Sequence, residues 1–305
     1  MLDLRRLEIL HRFAARGTIA ATAADLGYSP SAVSQQLAAL EREAGVALLE
    51  RTAQRASLTD AGRELAEHAA GILAAVETAQ GRLRARADTV GGRVTVSCIP
   101  GLAAVLAPQL AALRRAHPEL TVIAHETGST TAAAAVLDRR YDLAVIDDWS
   151  ERPPTESAGL AVHRLRREDV VLAVPANPAP PHDEWSGQVT AARLRAIVRQ
   201  ETWLCAPVGQ LSRAAGDRRL AAAGATPERR WEFEGLHILA ALVAAGAGVA
   251  LLPLGVAADQ AGVAWLPLVP AMRRHVLALT RTTTRDDPAV AACLEAVRQA
   301  LGHRG

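Results

Sequence analysis

Residues 18–44, TIAATAADLGYSPSAVSQQLAALEREA, constrain this chain more tightly than any other stretch, because they spell two short helices and the turn that joins them. Ala20, Ala21, Ala23, Ala24 and Leu26 make a small, alanine-packed first helix, and Gly27 ends it, since glycine takes a left-handed position without strain. Ser29 follows as N-cap, with Pro30 at the first helical position, where its missing N–H costs nothing. In the second helix Val33, Leu37 and Leu40 fall at i, i+4 and i+7, a stripe that faces a core. Ser31, Ser34 and Gln35 lie off that stripe and are short or amide-bearing, as side chains that reach base edges must be. The spacing is that of a helix-turn-helix, although an ordinary αα-hairpin would share it.

The flanking residues separate the two. The run SPSAVSQQLAALEREAGVALLER, residues 29–51, is followed by an LT-x-AG element of Leu58, Thr59, Asp60, Ala61 and Gly62. With these motifs, residues 1–70 closely resemble the DNA-binding domain of LysR-type transcriptional regulators, and a weaker resemblance continues to the C-terminus. The resemblance implies an α/β protein with an N-terminal winged helix-turn-helix, a long linker helix, and a two-lobed effector domain similar to periplasmic binding proteins. It implies domains at 1–60, 61–88 and 93–302, with the second lobe near 163–268. The implied function is sequence-specific transcriptional regulation in response to a small-molecule effector bound between the lobes. The implied partners are double-stranded DNA with a pseudo-palindromic operator and further copies of the chain, as a homodimer or homotetramer. RNA polymerase is a further candidate. Two recognition helices in such a dimer stand about 34 Å apart, one turn of DNA.

Composition narrows the alternatives. Every one of the 34 basic residues is arginine, and residues 1–60 carry seven arginines against seven acids, so a nucleic-acid footprint has to be a local patch. Cys98, Cys205 and Cys293 lie far apart with no CxxC, and the nine histidines are scattered, so neither a disulfide framework nor a metal site is indicated. No nucleophile–base pair or glycine-rich phosphate loop is legible, so no catalytic residue, cofactor or enzymatic activity is expected. A DNA architectural protein with a vestigial cleft stays open as a rival. Residues 238–258 are uncharged and long enough to span a membrane, but Gly246, Gly248 and Pro253 interrupt them. They read as a buried helix over 236–245 and a buried strand over 249–252. With no signal peptide ahead of Asp3, a soluble cytoplasmic protein without membrane contact is expected.

Along the chain, a helix over 4–16 buries Leu7, Leu10 and Phe13, and 46–58 suits a two-stranded wing. Arg51 and Arg55 flank the polar turn of that wing, where arginine contacts phosphate, enters a minor groove or stays solvated. Thr59 and Asp60 cap a long helix in which Leu65, Ala69, Ile72, Val76, Ala79 and Leu83 alternate steps of four and three, the period of a coiled-coil seam. The resemblance assigns that seam to dimerisation; packing on the chain's own effector domain is the alternative. A hinge follows over 88–92. From Arg93 onward strand and helix patterns alternate, which predicts βαβ units and a parallel sheet, with VHRL and DVVLAVP opening a second unit and AWLPL and RHVLALT leading back to a final helix over 288–301.

By motif match, Pro30, Ser31, Ser34 and Gln35 form the base-proximal face, with Gln36 on its flank and Thr18 binding phosphate at a helix N-terminus. Many family members carry arginine where this chain has Gln35; glutamine pairs with adenine rather than guanine, so an adenine is expected at that base. A cleft between two α/β lobes is the default effector site, and the resemblance implies that three edges converge on it. From Cys98 to Gly101, where many members carry Ser or Thr near the helix start, Ile99, Pro100 and Gly101 leave only the backbone N–H groups of Ile99 and Gly101 as donors. Thr127, Ser129 and Thr130 either hold a carboxylate or simply cap a helix. Asp147 and Trp149 face Pro207 and His237 of the other lobe. Hydroxyls beside an acid suit a carboxylate or a zwitterion such as an amino acid, though acids at strand ends are commonly solvated. Cys98 and Cys205 at the cleft raise a thiol sensor, against the ordinary reading of buried, inert cysteines.

Overall fold

The computed structural model describes residues 1–51, 56–87, 89–176 and 186–302. The N-terminal domain opens with α1 (Leu4–Arg16), α2 (Ile19–Leu26) and α3 (Pro30–Ala44), then a hairpin of β1 (Leu49–Arg51) and β2 (Ala56–Leu58), and α4 (Asp60–Arg86). Each helix start has its side-chain cap. Asp3 accepts from the N–H groups of Arg5 and Arg6, Thr18 from Ala21, Ser29 from Ala32 and Thr59 from Gly62. Gly27 closes α2 at φ +69°, in the left-handed conformation the sequence required of it. Leu7, Leu10, Phe13, Val33, Leu37 and Leu40 are buried together in one core.

The wing is locked to this core by backbone contacts. The Glu41 carboxylate accepts from Leu48 and Leu49 N–H, both at 3.0 Å, and Thr59 N–H donates to Leu48 O at 3.0 Å. Gly62 faces the same carbonyl so closely that a Cβ there would stand 2.1 Å from Leu48 O. Arg55 lies outside the described residues, as does the side chain of Arg51.

The expected seam on α4 is only half available. Ala69 is fully buried in the N-terminal core and Leu65 packs against it, because the first turns of α4 form a wall of that domain. Ile72 and Leu83 are exposed and Val76 is half-buried. Farther along, Glu77 and Gly81 of α4 meet Arg281 and Asp287 of the C-terminal domain, so the helix is braced at both ends by its own chain.

The C-terminal domain runs β3 (Gly92–Cys98), α5 (Ala103–Ala116), β4 (Leu120–Glu126), α6 (Ser129–Leu137), β5 (Leu143–Asp148), β6 (Glu156–Ser157) and β7 (Leu160–Pro175). It continues α7 (Ala191–Gln200), β8 (Trp203–Cys205), α8 (Leu211–Ala223), β9 (Arg230–Glu232), α9 (Leu236–Ala244), β10 (Val249–Pro253), α10 (Leu254–Asp259), β11 (Val263–Arg281), a 3-10 turn (Thr282–Thr284) and α11 (Pro288–Gly302). Among the described residues the strands join in the order β4-β3-β5-β11-β7-β10-β8-β9, with β6 on β7.

The sheet is mixed rather than parallel. β3 pairs in parallel with β4 and β5, and β8 with β9 and β10, but β7 and β11 run antiparallel to each other and to their outer neighbours. VHRL and DVVLAVP are one strand, and AWLPL and RHVLALT another. Each crosses both lobes without a break. The crossing falls where the β7–β11 register slips between Pro267 and Met272, opposite Val170 and Val171, so the second lobe starts some residues later than 163. Each lobe has its own apolar cores. Residues 238–258 fold as α9, β10 and the start of α10, and no helix among the described residues is long and apolar enough to cross a membrane.

Candidate nucleic-acid interface and effector cleft

The outward face of α3 begins at Pro30 and carries Ser31, Gln35 and Gln36, all exposed, with Ser34 partly covered. Its axis is fixed from behind by the buried Val33–Leu37–Leu40 stripe, so these side chains sit on a rigid element, as base readout requires. Ser31 Oγ lies 2.9 Å from Ser29 Oγ, which joins it to the cap. Gln36 is tethered, accepting from Arg6 Nε at 3.0 Å. Thr18 Oγ1 accepts from Ala21 N–H at 3.1 Å, so its hydroxyl caps α2 while the residue itself stays exposed at that helix start.

The second site lies where the lobes face one another. A cavity of about 50 Å³ is walled in lobe I by Ile99, Pro100, Gly128, Ser129, Thr130 and Asp147. In lobe II the wall is Ala206, Gln210, Leu211, Ser212, Glu234, Gly235 and Leu236. Pro100, Ser129, Thr130 and Asp147 thus stand where the sequence suggested. The other expected residues surround the cavity without lining it. Cys98 is buried in the lobe I core, with its carbonyl accepting from Thr127 N–H at 2.9 Å. Gly101 abuts His237 across the lobes, where a Cβ would stand 2.5 Å from the ring, and Pro207 follows the lining Ala206.

Asp147 is not a free ligand group. Ser129 Oγ donates to its Oδ1 at 2.6 Å and the Trp149 indole N–H to its Oδ2 at 2.7 Å. Trp149 is itself buried, with the Arg274 guanidinium 5.8 Å above its ring. Arg274 is held by Glu168, which Arg166 also meets at 3.1 Å, so this buried group of charges sits at the strand crossing between the lobes. The carboxylate left toward the cavity is Glu234, exposed and accepting from Gln210 Nε2 at 3.2 Å.

Electrostatically the cleft has one unusual property. α6, α8 and α9 all begin on its wall, and none of the three has a side-chain cap at Gly128, Gln210 or Gly235. Their first N–H groups and the positive ends of their dipoles face the cavity. The described wall holds two carboxylates and no arginine or histidine.

Gln210 and Glu234 sit on short strand-to-helix turns and Ser212 in the first turn of α8, none of which carries a sequence pattern of its own. The available signal was the position of those turns at the carboxyl ends of β8 and β9.

Two family models cover nearly the whole chain. The bacterial regulatory helix-turn-helix protein of the lysR family matches residues 4–63, and the LysR substrate binding domain matches residues 87–302. The chain belongs to the LysR family.

Among curated relatives, the nitrogen assimilation regulatory protein nac of Escherichia coli is 30% identical over 263 residues, covering 86% of this chain and 81% of the relative. The Klebsiella aerogenes protein of that name is 31% identical, covering 86% and 82%. Among solved structures, full-length OxyR from Pseudomonas aeruginosa superposes with a TM-score of 0.67 at 21% identity, covering 98% of this chain and 95% of that one, a likeness of fold. The protein is a LysR-type transcriptional regulator, with a DNA-binding helix-turn-helix and an effector-binding domain, and its relatives are regulators rather than enzymes.

In this LysR regulator the three cysteines are free and buried. Burial, with Glu126 nearby, raises the Cys98 thiol, burial raises Cys205, and burial pushes Cys293 up to about 12. All three are held as thiols. Among the described residues no group of His, Cys, Asp or Glu is arranged to hold a metal ion.

Proposed function

We propose that this regulator binds a pseudo-palindromic operator through paired α3 helices and responds to a small zwitterion of the amino-acid type in the interlobe cleft. The observation that carries the effector class is the pairing of three uncapped helix N-termini with an acidic wall that has no cationic side chain. Helix N-termini favour a carboxylate without requiring arginine. Glu234 offers a partner for an ammonium group, while Asp147 is committed to Ser129 and Trp149 and keeps α6 in place. A nitrogen-bearing effector also fits two relatives named for nitrogen assimilation. The cavity is small, so entry of anything larger than a few atoms requires the lobes to part about the β7–β11 crossing.

Reading the operator falls to Pro30, Ser31, Ser34 and Gln35, with Gln36 beside them and Thr18 at a phosphate. Dimerisation uses the exposed part of α4, with Ile72, Val76 and Leu83, rather than Leu65 and Ala69. Dimers then pair into a tetramer in the cytoplasm, where operator DNA lies. A thiol-based response is not proposed, because buried thiols with raised pKa are poor nucleophiles.

The effector assignment is tested by thermal-shift and calorimetric titration of the full-length protein with single amino acids, their 2-oxo acids and their decarboxylated amines. Binding of at least one amino acid, with neither the matching oxo acid nor the amine competing, is expected. Equal binding of the oxo acid would remove the ammonium contact and leave a simple anion site.

A further inference from the structure

The helix whose start lines the effector cleft ends against the DNA-binding domain. α6 runs nine residues from Ser129 to Leu137, about 13 Å at the rise of an α-helix. Its last turn and the residues that follow it, as far as Tyr141, are gripped from three directions. Arg281 donates to the Val136 carbonyl at 2.9 Å and the Tyr141 carbonyl at 2.7 Å, capping the helix C-terminus. Arg139, a non-glycine residue at φ +60°, pairs through its side chain with Glu77 of the linker helix at 3.1 Å. Its carbonyl accepts from Arg12 of α1 at 2.8 Å. Arg140 Nε then reaches Asp25 of α2 at 2.7 Å.

The acceptor side is equally committed. The Asp25 carboxylate is 5% exposed and takes Arg12 at 2.9 Å and Arg16 at 3.2 Å besides Arg140. Arg12 is 6% exposed, so the cluster has a buried Arg12–Asp25 centre that Arg16 and Arg140 reach from partly exposed positions. The Arg139 conformation is one that side chains rarely adopt, and it persists because partners on both sides hold it. The α3 face stays exposed throughout, so the contact governs where the DNA-binding domain points and not whether it can meet DNA.

We propose that the turn at 138–140 is a latch that fixes the DNA-binding domain on lobe I, and that α6 is the rod by which the cleft sets or releases it. At one end of the rod, Ser129 bonds to Asp147 through its hydroxyl. At the other, Arg139 and Arg140 hold Arg12 and Asp25. A displacement at the cleft end that tilts α6 re-aims the recognition helix within the same subunit, before any change between subunits. The latch rests on the α6 contacts and not on the identity of the effector, so it stands or falls separately from the amino-acid reading.

The test is pulsed electron spin resonance on the full-length protein, with labels at Arg42→Cys in the DNA-binding domain and Arg115→Cys on lobe I. Both positions are exposed, while Cys98, Cys205 and Cys293 are buried. Dilution with unlabelled chain isolates the distance within one subunit. A single narrow distance is expected for the parent. Arg140→Glu, which places like charge beside Asp25, is expected to broaden it, with the milder Arg140→Gln intermediate and binding to a DNA half-site unchanged in both. Ser129→Asp, which sets a second carboxylate beside Asp147, is expected to shift the same distance from the far end of α6. An unaltered narrow distance in Arg140→Glu would overturn the latch. An unaltered distance in Ser129→Asp, with Arg140→Glu broadened, would overturn the rod.

Discussion

Two glycines in the same helix make opposite predictions. Gly62 and Gly71 both lie inside α4, where replacing glycine by alanine ordinarily stabilises by about 1 kcal/mol. At Gly71 nothing stands within 4 Å of the new Cβ, so Gly71→Ala is expected to deliver that gain in full. At Gly62 the Cβ meets Leu48 O at 2.1 Å, Leu48 C at 3.0 Å and Leu58 Cδ2 at 3.2 Å. The first of these is backbone and cannot rotate away, so the wing must move. Overpacking of this kind costs ~1–3 kcal/mol. The moving carbonyl also loses the Thr59 N–H, a bond of about 1 kcal/mol. Subtracting the helix gain leaves Gly62→Ala destabilised by about 2 kcal/mol, a separation of about 3 kcal/mol between the two variants.

The assay exploits where the tryptophans are. All five lie beyond residue 148, so their fluorescence reports the effector domain alone, while far-ultraviolet circular dichroism also sees α1 to α4. In urea, Gly62→Ala should lose circular dichroism early with the fluorescence transition in place, and Gly71→Ala should move the other way. A Gly62→Ala protein stabilised as much as Gly71→Ala would refute the clash and with it the packing explanation of the LT-x-AG glycine.

Other outcomes are expected. Gln35→Ala should cost about 1–3 kcal/mol at the operator and relax one base position, read by binding to a randomised half-site library; uniform weakening at every sequence would make Gln35 a phosphate contact. Acid should weaken the fold in two stages. Burial, against smaller opposing contacts, lowers the His11 pKa below 6.5, so the unfolded chain takes a proton first and stability falls as pH drops below 6.5; His11→Gln should flatten that part of the pH–melting curve. Burial acts to raise Glu77, but bonding to Arg281 and Thr283 with the charge of Arg139 outweighs it, so its contribution is complete above 4.5 and is lost as pH falls through its depressed folded value. At pH 8 a disulfide-exchange reagent should modify none of the three cysteines in native protein and all three in urea; rapid reaction of Cys205 would reopen a redox role.

What the sequence made legible followed from local chemistry. The junction of α2 and α3 is fixed by Gly27, Ser29 and Pro30, signals that act within a few residues. The continuous strand β7 was hidden because Arg166–Glu168 put charge mid-strand, which imitates a loop, and β11 because Pro267 and Pro270 interrupt its pattern at the register slip. In lobe I the strands are six and seven residues long, so Ser129 and Thr130 could be placed just beyond β4 and Asp147 near the end of β5. The cleft was obscure in lobe II, where β8 and β9 are three residues each. Ala69 is covered by the N-terminal core, which the seam pattern did not reveal because a 3.5-residue repeat records an apolar face without recording which partner covers it.

The paths of β7 and β11 also order events during synthesis. Lobe I is assembled from chain on either side of lobe II: β5 waits for β11, and the β3 and α5 face waits for α11. Translation proceeds at roughly 5–20 residues per second, so on the order of 12–50 seconds pass between emergence of α3 and arrival of residues 288–302. During that interval the helix-turn-helix can already be folded from contacts within the first 70 residues while the sensing half is still an open sheet edge. A chain at that stage carries a finished reading head ahead of an unfinished sensor, and arrival of α11 is what joins the two.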